Sequence, residues 1–527
     1  IGRNALQLPD TEANNLAIGH TAMSGSIAGG EYNVAVGNYT LDALTSGDNN
    51  TAIGYAAGSA LTTAGANTLI GTFTGAALTT GQFSVFMGYG AGDGHDTEGS
   101  NLGIGFDALG GAIAGGEYNV AIGNYALDAL TSSDNIVAIG YQAGTALTVG
   151  ADNTFVGAYA GAATVDGAGN TCVGMGAGQL GNMTNGHNTL VGFVSGQDLA
   201  AGQKNVFIGE SSGQQATSTD NSIVIGYNAV STGVMTGNQN TIVGAESGAN
   251  MTSGATNTVF GPFALKECTT GSKNIAIGSD AVRYPDTEDN NIGIGFQALG
   301  ASGLAGGEKN IAIGNNTLDA LTSGDDNIVV GHTAGGAITS GTDNTFIGND
   351  AGFNTTQGSA NIAIGSGCIP ASTTGDFQYV LGFEIDAGAN QFSFGKSGNK
   401  VTNAFDTNAS WARSSDERKK TNIADATLGL DFINDLKTIT FNWKASQDFP
   451  KTFKDYKADK NMMDTSTTLH GMLAQDVKSA LDTAGVDTFG GWSEESDGSQ
   501  YLSQEMFVYP LIKAVQELSA TVTTLQQ

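Results

Sequence analysis

Positive charge is what this sequence has least of. Lys and Arg number 20 in 527 residues against 50 Asp and Glu, a net charge of −30 with a pI near 4.2. Such a field repels phosphates, which argues against nucleic acid or an anionic membrane surface as partner and leaves neutral or cationic surfaces and sugars. Cysteine is nearly absent too. Cys172, Cys268 and Cys368 are an odd number, widely spaced, with no CxxC pair and no His in metal-ligand spacing. They read as small buried residues rather than a disulfide or a metal site. No run of about eighteen apolar residues occurs, so no segment is expected to enter a membrane. Nothing in the sequence calls for a cofactor.

Glycine is abundant, at 79 residues against 6 proline, and its placement is regular. A short phrase recurs from end to end: "NLAIG" at Asn15, "NVAVG" at Asn33, "NTAIG" at Asn50, on to "NIAIG" at Asn361. Between Gly19 and Gly365 its glycines fall at a mean spacing of about 17 residues, with Gly2 and Gly382 extending the series. So constant a period over some twenty copies means a solenoid, in which each coil stacks on its neighbours. At about 4.8 Å per rung the rod is on the order of 100 Å long. Longer units are layered on top: "GGEYNVAVGNYTLDALTSGDN" from Gly29 returns in variant form from Gly115 and Gly306. Because Gly2 already belongs to the series, the sequence opens in the middle of a rung, and an attachment or export segment is expected ahead of it.

Positions within a rung differ in kind. The residue before the glycine is Ile, Val, Met or Phe, and the one before that is also apolar or small. Successive strand residues point to opposite faces, so both faces are apolar, as in a parallel strand covered on both sides. The inside of the coil covers one. For the other, neighbouring chains of a trimeric fibre are expected, the alternative being that the rung's own loops, such as "ALTTAG", fold over it. Four residues before the glycine stands Asn in nearly every rung, read as a hydrogen-bonding ladder tolerant of the turn conformation. Three residues after it sits Ala, Thr, Ser or Cys, small enough for close packing. This body, over roughly residues 1–382, resembles the β-roll heads of trimeric autotransporter adhesins and related repeats in phage tail fibres. A triangular left-handed β-helix is the alternative coil shape.

Fourteen of the 20 basic residues and all three Trp crowd into the last 162 residues, a shift that marks a separate domain. A β-rich connector over 383–410 leads to it, and it opens at 411 with "WARSSDERKKTNI". Ser415 and Lys420 are five residues apart, with Arg418 and Lys419 supplying positive charge. Spacing alone leaves a Ser-Lys dyad and a solvated charged loop both open. The succession "SDERKKTNI", "LDFINDLKTITFNWK", "HGMLAQDV" and "YPLIKAVQELSATVTTLQ" resembles the C-terminal intramolecular chaperone domain of phage endosialidases, tail spikes and tail fibres, a self-cleaving peptidase family. The resemblance spans Trp411 to Gln527. It implies a dyad of Ser415 and Lys420, a cut between Ser414 and Ser415, and matching roles for Asp416 and Arg418. Two departures stand out: Lys419 replaces the family's usual Leu, and His470 directly precedes Gly471 where the family's histidine sits one residue earlier. An orienting or catalytic role for His470 and a plain polar loop residue are both open. Gln475 is expected to hydrogen-bond within the domain core.

Val508, Leu511, Val515, Leu518, Val522 and Leu525 form a heptad seam over a helix at 508–527, with Pro510 in its first turn. About two heptads are too short to be stable alone, yet adequate to register chains already held together.

The resemblances imply a homotrimeric phage tail fibre or spike in the virion tail. It would be joined to the virion through the absent N-terminal segment and bind a host glycan or protein receptor. A polysaccharide depolymerase would need a carboxylate pair, and Asp42 with Asp48 recurs as Asp128 with Asp134 and Asp319 with Asp325, which favours solvated turns. A spacer filament or an extracellular cell-surface adhesin is the further alternative. Acidic turns such as "DTEDNN" lack calcium-loop spacing and read as solvated.

Overall fold

The computed structural model describes residues 1–6, 14–300, 306–405, 412–413 and 415–526; Trp411, Ser414 and Gln527, named above, lie outside them. The chain divides into two units, Ile1–Ser414 and Ser415–Gln527.

Each rung of the first unit devotes three residues to a strand and the rest to turns. Twenty-one such strands, β1 (Leu16–Ile18) through β21 (Ile362–Ile364), pair in parallel with every phrase in register on the next, as Val34, Ala35 and Val36 lie on Thr51, Ala52 and Ile53. The fold is therefore a mainly β parallel solenoid with rungs of about 17 residues. The middle residue of each strand points inward and the two beside it outward, as the period of two requires. Ala35, Leu69, Phe86 and Phe207 are all fully buried.

Stacking is governed at the rung glycine. Gly54 has φ +142, and a Cβ there would strike the carbonyl of Gly71 in the next rung. Only glycine combines that backbone with that approach. The Asn ladder runs beside it through the interior. Asn50 donates from Nδ2 to Asn33 Oδ1 (3.0 Å) and to the carbonyl of Ala64 (2.9 Å), while its own Oδ1 accepts from the Asn67 amide (3.1 Å). The left-handed turn falls one residue earlier than expected, on Asn49 (φ 60) and Ala66 (φ 59) rather than on the ladder Asn. Those amides reach back a rung, Asn49 to the Glu31 carbonyl (3.0 Å) and Ala66 to that of Asp48 (2.8 Å). Ladder side chains are thereby left to face inward, where both Asn50 and Asn67 are buried.

The core is filled by exchange of volume within and between rungs. Where the inward strand residue is Phe, the residue six later is Gly: a Cβ on Gly92, Gly161 or Gly213 would land on the ring of Phe86, Phe155 or Phe207. At Ala35, Gly103 and Ala121 that later position holds buried Leu41, Leu109 and Leu127, whereas after Ala52 and Ala138 it is Gly58 and Gly144, filled from neighbouring rungs by Leu41 and Leu69 and by Leu127 and Phe155. Close packing requires such alternation.

On the outer side, the loops cover the strand only in part. Ile53, Ile139, Ile277 and Ile347 are each 37–41% exposed, so an apolar stripe follows the strands along the rod. The parallel stack runs past Gly382, since β22 (Ile369–Pro370) is followed by β23 (Gln378–Phe383), which lies on β21. Beyond β24 (Asp386–Ala387), β25 (Gln391–Lys396) pairs in parallel with β23, and only then does β26 (Asn399–Ala404) turn back antiparallel, followed by β27 (Ala412–Arg413).

In two acidic turns, one of them "DTEDNN", the Glu is buried while the Asp and Thr before it stay exposed as expected. Glu98 is 5% exposed and Glu288 4%. Glu98 accepts from the amides of Asp96 (3.2 Å), Thr97 (3.1 Å) and, a rung ahead, Gly115 (2.8 Å). Glu288 repeats this with Asp286, Thr287 and Gly306. Burial works to raise the Glu98 carboxyl, but the backbone hydrogen bonds outweigh it and its pKa is lowered.

The second unit is small. Helix α1 (Leu430–Asp435) packs on α3 (Val508–Gln526). Between them in sequence lie β28 (Ile439–Phe441), β29 (Leu469–Gly471), α2 (Ala474–Thr483), β30 (Trp492–Glu494) and β31 (Gln500–Leu502). Phe432, Phe489 and Phe507 form a ring cluster with centroids 5.2–6.4 Å apart. Glu517 of α3 caps α1 by accepting from the Leu430 amide (2.8 Å). Among the described residues no helix is long and apolar enough to cross a membrane.

Two predictions follow from the stack. Asn50→Ala leaves the Asn67 amide without its acceptor, at about 1–3 kcal/mol for the orphaned group. Ser84 and Ser222 occupy the ladder elsewhere and accept the next rung's amide at 3.3 and 3.2 Å. Asn50→Ser is therefore expected to lower the urea midpoint less than Asn50→Ala; equal losses would refute the ladder's role. The second concerns His95, which replaces Leu in a core column running through Leu61 and Leu78. It is fully buried against Phe86 (4.9 Å), and neither ring nitrogen makes a full hydrogen bond, although the Glu98 charge and the Leu109 backbone act on the ring. Burial lowers its pKa to about 4, below the unfolded value of about 6.5. Its contribution is then complete above about pH 6.5 and declines as the pH falls toward about 4, because the unfolded chain takes the proton first. His95→Leu should flatten the pH dependence of the melting temperature across that window, whereas an unchanged slope would show that His95 does not set it.

Candidate functional site

The basic residues of the second unit begin at a single turn. Asp416 caps the short 3-10 helix Glu417–Lys419, its Oδ1 accepting from the Arg418 amide at 2.9 Å. The Lys420 amide closes the turn on the Glu417 carbonyl at 2.9 Å. The chain thus doubles back, and Lys420 Nζ donates to Ser415 Oγ at 2.6 Å. Arg418 adds a two-pronged pair to Asp416, Nε to Oδ1 at 3.0 Å and Nη2 to Oδ2 at 2.6 Å. The Arg418 side chain, then its amide, then the charge of Lys419 hold the Asp416 carboxyl below its usual range. Asp416 in turn raises the guanidinium. So exposed a pair adds little stability; its effect is to fix the turn on which Ser415 and Lys420 meet.

Ser415, Asp416, Arg418 and Lys420 are therefore brought together, and among the described residues Ser415 and Lys420 are both exposed. His470 lies elsewhere. It pairs across from Thr440 between β28 and β29, exposed, and lines an open cleft with Thr438, Ile439, Met472 and Gln504. Neither Ser415 nor Lys420 lines that cleft. No sequence signal links His470 to Gln504, since only the fold joins them. Gln475 is corrected outright: it is exposed on the first turn of α2, outside the core.

Residues 415–486 match the model of the family described as chaperone of endosialidase. That chaperone match begins at Ser415, the first residue of the second unit, and covers well under half of the chain. The solenoid and the terminal helix lie outside it. No curated protein and no solved structure matches the chain.

The carboxylates of the rod have other work. Asp48, Asp134 and Asp325 each accept from the amide of Glu31, Glu117 or Glu308 one rung back, at 2.7–2.8 Å. Asp42 and Asp319 are raised by burial, and Asp128 accepts from the Thr145 hydroxyl at 2.6 Å. The three cysteines are buried and unpaired, and burial pushes the Cys268 thiol up to about 12.

Proposed function

We propose that this chain is one third of an elongated homotrimeric fibre or spike for attachment to a host surface. Its C-terminal chaperone would drive trimer assembly and then release itself. The observation that carries this reading is the partly exposed apolar stripe on the strands, with Ile53 39% and Ile347 41% exposed. A rod presenting such a stripe from end to end is covered by other copies or aggregates. The heptad seam of α3 agrees, with Val515 64% and Leu525 81% exposed. The chaperone match supports a place in a phage virion tail, an extracellular adhesin being the alternative; a host glycan or protein receptor and a virion attachment segment are the partners this reading requires. A depolymerase is favoured by no observation, because Asp48, Asp134 and Asp325 are held by backbone amides a rung back.

For release, Ser415 Oγ attacks the carbonyl carbon of residue 414, Lys420 takes the hydroxyl proton and returns it to the departing amine of Ser415, and water then hydrolyses the ester. Lys420 must first be neutral. Burial by sister copies would favour that form, so cleavage is expected to follow assembly. Arg418 and Asp416 act as positioning residues, and His470 has no step in this scheme.

Light scattering should return three chains per particle. Mass spectrometry should show a product ending at residue 414, and Ser415→Ala should remain full length while still trimeric. A monomer would sink the fibre reading; an uncut wild-type trimer would sink only the self-release.

A further inference from the structure

A second stripe runs along the rod, and it is aromatic. One or two residues after each rung glycine, rings touch rung to rung from His20 through Tyr55, Tyr89 and Tyr141 to Tyr159, with centroids 5.2–6.3 Å apart. Neighbouring rings meet mostly edge to face, the arrangement that aromatic pairs favour. The rings remain open to solvent nonetheless, Tyr55 45% and Tyr89 50% exposed.

The surroundings of the ladder are acidic, and the Asp93 carboxyl is met by backbone amides, its own and that of Gly94, rather than by a cation. Between Arg3 and Lys204 the sequence contains no Lys or Arg. At mid-ladder, next to Tyr89, a side chain on Gly90 would collide with the Asp107 carboxylate, and an Asp93 oxygen lies 3.4 Å from the same point. Burial, then the charge of Asp107, raises the Asp93 carboxyl; burial, then the charge of Asp128, raises that of Asp107. Ring stacking alone needs no such crowding of like charge. Carboxylates that repel one another beside exposed π faces are the arrangement that a cation relieves.

We propose that the ladder between His20 and Tyr159 is a docking surface for a linear glycan bearing free amines, its sugar rings on the aromatic side chains and its ammonium groups against Asp93 and Asp107. This rests on the adhesive reading above and names the ligand class and place for it. An acidic glycan would find no cation here, and a straight column one ring wide per rung suits an extended polymer better than a folded protein's relief.

The experiment is binding of the full-length protein to fluorescent glucosamine oligomers, N-acetylglucosamine oligomers and oligogalacturonate, with light scattering in parallel. Glucosamine oligomers are expected to bind best and oligogalacturonate not at all. Tyr55→Ser with Tyr89→Ser should weaken binding about tenfold or more, the loss of one or two ring contacts. Asp93→Asn with Asp107→Asn retains every ring and should abolish the preference for free amines. Equal binding of acetylated and free oligomers by the wild type would overturn the proposal, as would a ring variant that binds normally. If the ring variant instead loses its oligomeric state, the ladder is an interface between copies and the proposal fails. Host-cell attachment that survives in both variants would leave the adhesive reading standing and remove only this site.

Discussion

The approach of one rung glycine to the carbonyl of the next is the constraint on which the rod depends. A Cβ at Gly54 would overlap the Gly71 carbonyl, and any wider spacing would break the parallel hydrogen bonds on either side. With the spacing set there, the Asn ladder falls within reach of itself, and the left-handed turns at Asn49 and Ala66 can bond a rung back. A backbone built this way is nearly the same in every rung and so says little about which rung belongs where. Identity comes from side chains: Phe86 demands Gly92, Leu41 and Leu69 fill the space over Gly58, and Glu98 and Glu288 accept the amides of Gly115 and Gly306, which open two of the "GGE" rungs. Slippage between like repeats is the characteristic hazard of such folds, and these mismatches in volume and charge oppose it.

Much of this was legible because the signal is short-range and repeated many times. The period, the inward and outward strand residues, the buried small residue at Thr40 or Ala57 and the Asn ladder all follow from one phrase. What escaped depends on knowing the coil. That the residues at 86 and 92 compete for one space is invisible until the turn between them is drawn. Glu288 looked like a solvated turn residue, since "DTEDNN" is polar throughout; its burial follows from a single amide a rung away. The left-handed residue was assigned one position late because Asn commonly accepts that conformation, whereas here the stack needs the Asn side chain inside.

At the C-terminal site spacing left a pairing of Ser415 with Lys420 open and the family resemblance implied it; the two meet because a capped turn joins residues five apart without help from the rest of the fold. The sequence did not carry their exposure. A dyad of this kind requires a desolvated lysine, and a local turn cannot supply that. His470 was legible as a residue but not as a place, for its cleft includes Gln504 from beyond α2.

On the proposed reading, helix α3 orders the events of assembly. The residues that bind it to its own unit, Pro510, Ala514 and Glu517, differ from the exposed seam of Leu511, Val515, Leu518 and Val522. The unit therefore completes its core without using the seam, and the seam is available once the unit has folded. Rungs that differ so little from one another can slip in register, which a seam holding the chains level would oppose. On the proposed reading, three folded C-terminal units meet first through α3 and set the chains level. The rod then closes from a common end, and the dyad, shielded only after that, cuts last. A dyad buried within the single chain could act before assembly and release the chaperone too early; its exposure in the single chain is what the order of events requires.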